Sequence, residues 1–235
     1  MEAVKTAMGS SFPHGDHISL TPAQYQALTT VRITRTGKRI RTKAVQLYVV
    51  DNFMSHAECD ALIAVSDGKL VPSGIPRPEL HHYFRTSSTC QLMYTDAPLV
   101  KTISERTAST LGINASYSEG MQLQYYDIGQ EFKPHRDYFE PHGEDYKKYA
   151  NIRGNRTWTF MVYLNETEKG GGTSFPQLGK TFYPKKGRAL IWNNLNADGT
   201  PNPDTIHCGE PVQAGRKVII TEWFRELGNG PMLLD

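Results

Sequence analysis

Residues 122–139 read QLQYYDIGQEFKPHRDYF, and in them His135 and Asp137 stand one residue apart. On a β-strand, residues i and i+2 project from the same face. An imidazole and a carboxylate are therefore expected to converge while Arg136 points away. That pair is two-thirds of the 2-His-1-carboxylate arrangement that holds non-haem Fe(II) and leaves coordination positions open. With 8 His and 24 acidic residues in the chain, the pair alone is a weak signal. A surface His beside a solvated Asp is the commoner arrangement, so the rest of the chain decides.

A second histidine is needed, and two lie downstream. His142 sits in the polar stretch FEPHGEDYKK, a poor place for a ligand. His207 sits in DTIHCGEPV, between a Pro/Asn-rich loop and the last strand, where it can face an earlier strand across a barrel. Ten residues on comes Lys217 in GRKVIITEWFRE. In that strand Lys217, Ile219, Thr221 and Trp223 share one face, and Val218, Ile220, Glu222 and Phe224 the other. If the first face points inward, the strand buries a lysine, and buried lysines are almost never unpaired. A small dicarboxylate would satisfy the ammonium with one end and chelate a metal with the other. Cys208, next to His207, points the opposite way and reads as packing.

Around this stretch the elements follow from pattern. Thr21-Pro22 opens a short helix to about Leu28. Residues 31–50 alternate and read as strands on either side of a turn at Thr36-Gly37-Lys38. Ser55 and Glu58 form a capping box for a helix over 55–65. Residues 71–80 hold three prolines and a glycine and read as a loop, followed by strand character over 83–94. Asp96-Ala97-Pro98 starts a third helix, stopped by Gly112. After it the chain alternates in short segments: 121–126, 157–165, 173–175, 188–193 and 217–224. Helices first and many strands afterwards predict an α+β, mainly β fold, a β-sandwich or jelly-roll barrel with the helices packed on one face.

Composition bounds the function. A length of 235 residues suits one domain with a substantial core. The formal net charge of +2, without a long Lys/Arg run, argues against nucleic acid and anionic membrane as partners. Three scattered cysteines make neither a disulfide framework nor a zinc signature, and no secretory signal or membrane span is visible. A cytoplasmic protein is the simplest expectation.

The chain from residue 45 onward resembles the prolyl 4-hydroxylases of the Fe(II)/2-oxoglutarate-dependent dioxygenase superfamily. The resemblance is carried, in order, by FRTSS at 84–88, the opening stretch, NRTWT at 155–159 with MVYLN after it, GGGTSFP at 170–176, PKKGRALIW at 184–192, and HCGEPV followed by GRKVIITEWF at 207–224. It implies a double-stranded β-helix (jelly-roll) core over 45–235, with 1–44 as a leader. It implies Fe(II) on His135, Asp137 and His207, and 2-oxoglutarate held by Lys217, Tyr126 and Thr173. It implies a proline-containing peptide held by Arg156, Trp223 and Phe132. The expected reaction is hydroxylation of peptidyl proline at C4, with O2 as cosubstrate, ascorbate as reductant, and decarboxylation of 2-oxoglutarate to succinate and CO2. Phe132 departs from the family, which usually has Tyr there: ring stacking survives and a phenol hydrogen bond does not. Two other readings stay open. One is a dioxygenase of the same fold acting on another side chain or a free amino acid. The other is a catalytically silent barrel that binds proline-rich peptide, against which the intact set of His135, Asp137, His207 and Lys217 argues.

Overall fold

A computed structural model of the chain describes residues 37–74 and 81–228. The elements run β1 (Lys38–Arg39), β2 (Leu47–Val50), α1 (His56–Val65), β3 (Val71–Pro72), α2 (His81–Phe84), β4 (Ser88–Leu92), α3 (Pro98–Leu111), β5 (Ser118–Tyr126) and β6 (Phe132–His135). Then follow β7 (Arg156–Tyr163), β8 (Lys169–Gly170), β9 (Thr173–Phe175), β10 (Lys180–Phe182), β11 (Ala189–Asn193), β12 (His207–Gly209), β13 (Val212–Ala214) and β14 (Lys217–Arg225). Among the described residues, eight strands form one antiparallel sheet in the order β1-β2-β11-β7-β14-β5-β4-β3. A second sheet has the order β10-β9-β12-β6, and β13 pairs with β8. The molecule is mainly β with few helices.

Alternation divides the large sheet into two faces. Trp158, Phe160 and Val162 of β7, with Val218, Ile220 and Phe224 of β14, enter a cluster with Cys59 and Leu62 of α1 and Val100, Ile103 and Leu111 of α3. Met161, Tyr163, Ile219, Leu190 and Trp192 turn the other way and meet Phe175 of the smaller sheet. Each large apolar side chain so buried contributes about 1.5–3 kcal/mol. One face of the sheet thus holds the helices, and the other faces the strand that carries His135.

The helix ends follow the sequence signals. The Ser55 side chain accepts from the Glu58 amide and the Glu58 carboxylate accepts from the Ser55 amide, closing the capping box. Gly112 ends α3 with φ 74°, a left-handed conformation that costs glycine nothing.

Four expectations are corrected. Lys38 belongs to a strand rather than a turn, and β1 joins β2 through residues 40–46, closed by Ile40 N–H donating to Leu47 O at 2.8 Å. Val71 and Pro72, read as loop, pair with Thr89 and Ser88 as an edge strand, where proline's missing N–H costs no ladder bond. Tyr83 and Phe84, read as strand, end a single helical turn, and the strand proper begins at Ser88. Asp137 lies two residues beyond the end of β6. The helix read from Thr21 falls outside the described residues, as do 75–80. No helix of the described residues is long and apolar enough to cross a membrane.

Candidate active site

β6 and β12 pair antiparallel with His135 directly opposite His207. Their ring centroids are 4.3 Å apart. Each ring is oriented through its Nδ1. His135 Nδ1 is 2.8 Å from Lys133 O, and His207 Nδ1 is 2.9 Å from Thr205 O. A carbonyl can only accept, so Nδ1 carries the proton in both rings and each Nε2 keeps its lone pair. Asp137, past the strand end, brings Oδ1 to 3.7 Å from His135 Nε2 and Oδ2 to 3.8 Å from His207 Nε2. Among the described residues this is the one cluster of three His, Cys, Asp or Glu donors able to hold a metal ion, with all donor atoms within 4.8 Å of one another.

The electrostatics suit a cation. Burial and the facing His207 push the His135 imidazole down to about 3, so it is neutral at physiological pH. Burial alone would raise the Asp137 carboxyl. The facing His207 and His135, the Arg156 guanidinium and the Thr159 hydroxyl outweigh it and hold the carboxyl below its usual range. Two imidazoles, each with its Nε2 lone pair turned inward, and one buried carboxylate are the donor set of a divalent transition metal.

Every expected site residue except Arg156 lines one pocket with the cluster. At its depth Lys217 is 1% exposed. Its ammonium donates to Thr173 Oγ1 at a long 3.5 Å and lies 5.2 Å over the Tyr126 ring, and no carboxylate of the described residues forms an ion pair with it. Burial brings it down to about 8. The face expected of β14 is the one found: Lys217, Ile219, Thr221 and Trp223 all line the pocket. Tyr126, opposite Lys217 on β5, donates its hydroxyl to Gln124 Oε1 at 2.9 Å, and Gln124 Nε2 donates to Thr221 Oγ1 at 3.1 Å. Two buried indole N–H groups, Trp192 Nε1 and Trp223 Nε1, have no acceptor.

The residues expected on the substrate side are placed differently from one another. Trp223 is half-buried at the pocket. Phe132 also lines it, but its ring stacks on His135 at 3.5 Å and 16°, with the Arg85 guanidinium 4.9 Å over the same ring. Arg156 is not part of the pocket lining. Its fork donates from Nε and Nη2 to Glu119 at 2.7 Å each, and Nη1 reaches Asp137 O at 3.4 Å. Its plane sits 4.1 Å over the Trp223 ring.

Sequence reading put Thr221 on the Lys217 face without a role, and missed Gln124, Trp192, Thr159 and Glu119. Gln124 could have been found by extending the alternation of Tyr126 by one step.

Comparison with known proteins decides the family. Residues 121–225 match the model of the 2OG-Fe(II) oxygenase superfamily. Probable prolyl 4-hydroxylase 3 of Arabidopsis thaliana is 31% identical over 75% of this chain and 68% of its own length. The chain belongs to the prolyl 4-hydroxylase family. Prolyl 4-hydroxylase subunit alpha-1 of Homo sapiens is also 31% identical over 75% of this chain, and the chain spans 34% of that relative's length. Among solved structures, the viral collagen prolyl hydroxylase of Paramecium Bursaria Chlorella virus-1, in its 2OG complex, superposes with TM-score 0.61 at 28% identity, covering 76% of this chain and 95% of that one. Within this chain the matched segment 121–225 contains the whole cluster, Lys217, and both orphaned indoles.

Proposed function

We propose that this member of the prolyl 4-hydroxylase family hydroxylates peptidyl proline at C4, using Fe(II), O2 and 2-oxoglutarate. The observation that carries the reading is one pocket holding a His135–Asp137–His207 donor cluster at one point and a buried, unpaired lysine at another. Neither feature has a use in a module that only binds peptide. His135 Nε2, Asp137 and His207 Nε2 would hold the iron. The bound iron with its two cosubstrates supplies the oxidising power, and 2-oxoglutarate leaves as succinate and CO2.

The chain's own residues orient and enclose. Lys217 and Thr173 take the far carboxylate of 2-oxoglutarate, with the Tyr126 hydroxyl beside it. The charge on that carboxylate answers the buried ammonium. Half-buried Trp223 offers an apolar face to a proline ring, and Phe132, held by its stacking on His135, borders the same pocket. Arg156, bound to Glu119, serves the substrate by fixing the plane of Trp223. Buried Met161, Trp192 and Ile219 line the walls and exclude water, which protects a reactive oxidant from side reactions.

The two-sheet arrangement of the described residues supports a single domain over 45–235 with a double-stranded β-helix core, with β1 as an arm of the preceding segment. The three free cysteines fit a reducing, cytoplasmic setting. The test is mass spectrometry of a proline-rich peptide incubated with the protein, Fe(II), ascorbate and 2-oxoglutarate. A one-oxygen gain on proline, matched by succinate and dependent on iron, is expected. Succinate formed at the same rate without peptide, and no modified proline, would overturn the peptidyl substrate.

A further inference from the structure

We propose that Asn194 is a positioning residue that sets Asp137 and His207 relative to each other, acting on Asp137 through the Thr159 hydroxyl and on His207 through the turn at residues 203–205. This rests on reading the cluster as a metal centre.

The first arm is a chain of side chains. Thr159 Oγ1 donates its single proton to Asp137 Oδ2 at 2.7 Å. Its oxygen then has only lone pairs left, and Asn194 Nδ2 donates to it at 2.9 Å. The order of donors fixes the Asn194 amide, because its carbonyl oxygen in that place would face an oxygen with no proton to give. The consequence is visible on the other side: Asn194 Oδ1 is buried with no partner. A buried unsatisfied acceptor in a native protein calls for an explanation, and here it follows from an amide held the one way round that supplies the donor.

The second arm is main chain. Asn194 N–H donates to Thr157 O at 2.7 Å, which ties the residue to β7. Asn194 O accepts from Asn202 N–H at 3.0 Å. Asn202 O in turn accepts from Thr205 Oγ1 at 2.7 Å, and Thr205 O accepts from His207 Nδ1 at 2.9 Å. One residue immediately after β11 is therefore bonded, through two short and separate routes, to two of the three donors. Thr159 and Asn194 are both fully buried, so no water competes for either link. Partners of this kind orient ligands and tune metal affinity.

Co(II) binding, followed by its visible absorption and by calorimetry, tests the assignment without relying on turnover. Thr159→Val keeps the shape and removes the hydroxyl; it is expected to weaken Co(II) binding by about 10–100-fold, the usual effect of losing such a partner. Thr159→Ser should restore the affinity. Asn194→Ala should weaken it as well, and it keeps the comparison alive if the valine variant fails to fold. A purely structural role would instead lower the melting temperature of the metal-free protein and leave the Co(II) affinity where it was. Wild-type protein that takes up no Co(II) would overturn the metal centre itself. Wild-type protein that binds while Thr159→Val and Asn194→Ala bind equally tightly would overturn the positioning role alone.

Discussion

At the scale of single residues, Lys217 is the least ordinary group in the molecule. Burial penalises its charge and brings it down to about 8 from a usual 10.5. Its unfolded form holds the proton up to the higher value, so between about pH 8 and 10.5 the unfolded chain binds more protons and stability rises with pH. Denaturant melts of the metal-free protein should show that rise, and Lys217→Met should flatten it. The proposed ligand has the opposite preference: if Lys217 anchors 2-oxoglutarate through its ammonium, the affinity should fall as pH climbs past about 8, and a binding curve level from pH 7 to 9.5 would move the anchor elsewhere. Lys217→Ala should weaken 2-oxoglutarate binding by about ten- to a hundredfold, the equivalent of roughly 1.5–3 kcal/mol for a charge-assisted bond, while sparing Co(II). Lys217→Arg should rescue poorly, since a guanidinium fork is longer and flatter than an ammonium. Asp137→Ala removes the only anionic donor and should abolish Co(II) binding, with the fold retained in circular dichroism.

At the scale of elements, what sequence could show and what it could not divide along one line. Period-two patterning assigned both faces of β14 correctly, because each residue's side follows from its neighbours in the chain. The capping box at Ser55 and the stop at Gly112 were equally local. Ser55→Ala should therefore cost about 1 kcal/mol in thermal or chemical melts. Gly187 escaped notice for the opposite reason. Its φ is 78°, and a Cβ there would collide with Met54 O, a contact set by a segment far away in sequence. Gly187→Ala should destabilise more than Ser55→Ala, and equal melting temperatures for the two variants would contradict the close approach. The partner of Arg156 was illegible for the same reason. Its guanidinium is bound by Glu119, 37 residues earlier, a contact no local pattern encodes. Asp137 reached its place although the strand ends two residues before it, because the Thr159 hydroxyl, rather than strand geometry, receives its carboxylate.

At the scale of the whole molecule, one sheet separates two environments. The helix side is largely apolar, with a buried polar group at Glu222, whose carboxylate accepts from Ser104 Oγ at 2.6 Å and Ser118 Oγ at 3.1 Å, and from Thr107 Oγ1. The opposite side carries the chemistry, and the strands between them are shared. Ligands of the pocket should therefore stabilise the entire fold: Co(II) at a hundred times its Kd should add about 2.7 kcal/mol, and Asp137→Ala should abolish the increment. Arg156→Ala and Trp223→Ala should raise the KM for peptide and leave that for 2-oxoglutarate unchanged; a shift in both would place Arg156 on the cosubstrate side. The same division distributes the chain's three tryptophans unequally. Trp158 lies among the helices, whereas Trp192 stands edge-on to His207 at 4.8 Å and Trp223 borders the same pocket. The protein thereby carries its own optical gauge. Two of its three emitters stand beside the metal cluster, so an absorbing ion there should dim most of the ultraviolet fluorescence, leaving Trp158 as a steady background against which occupancy can be read without any added dye.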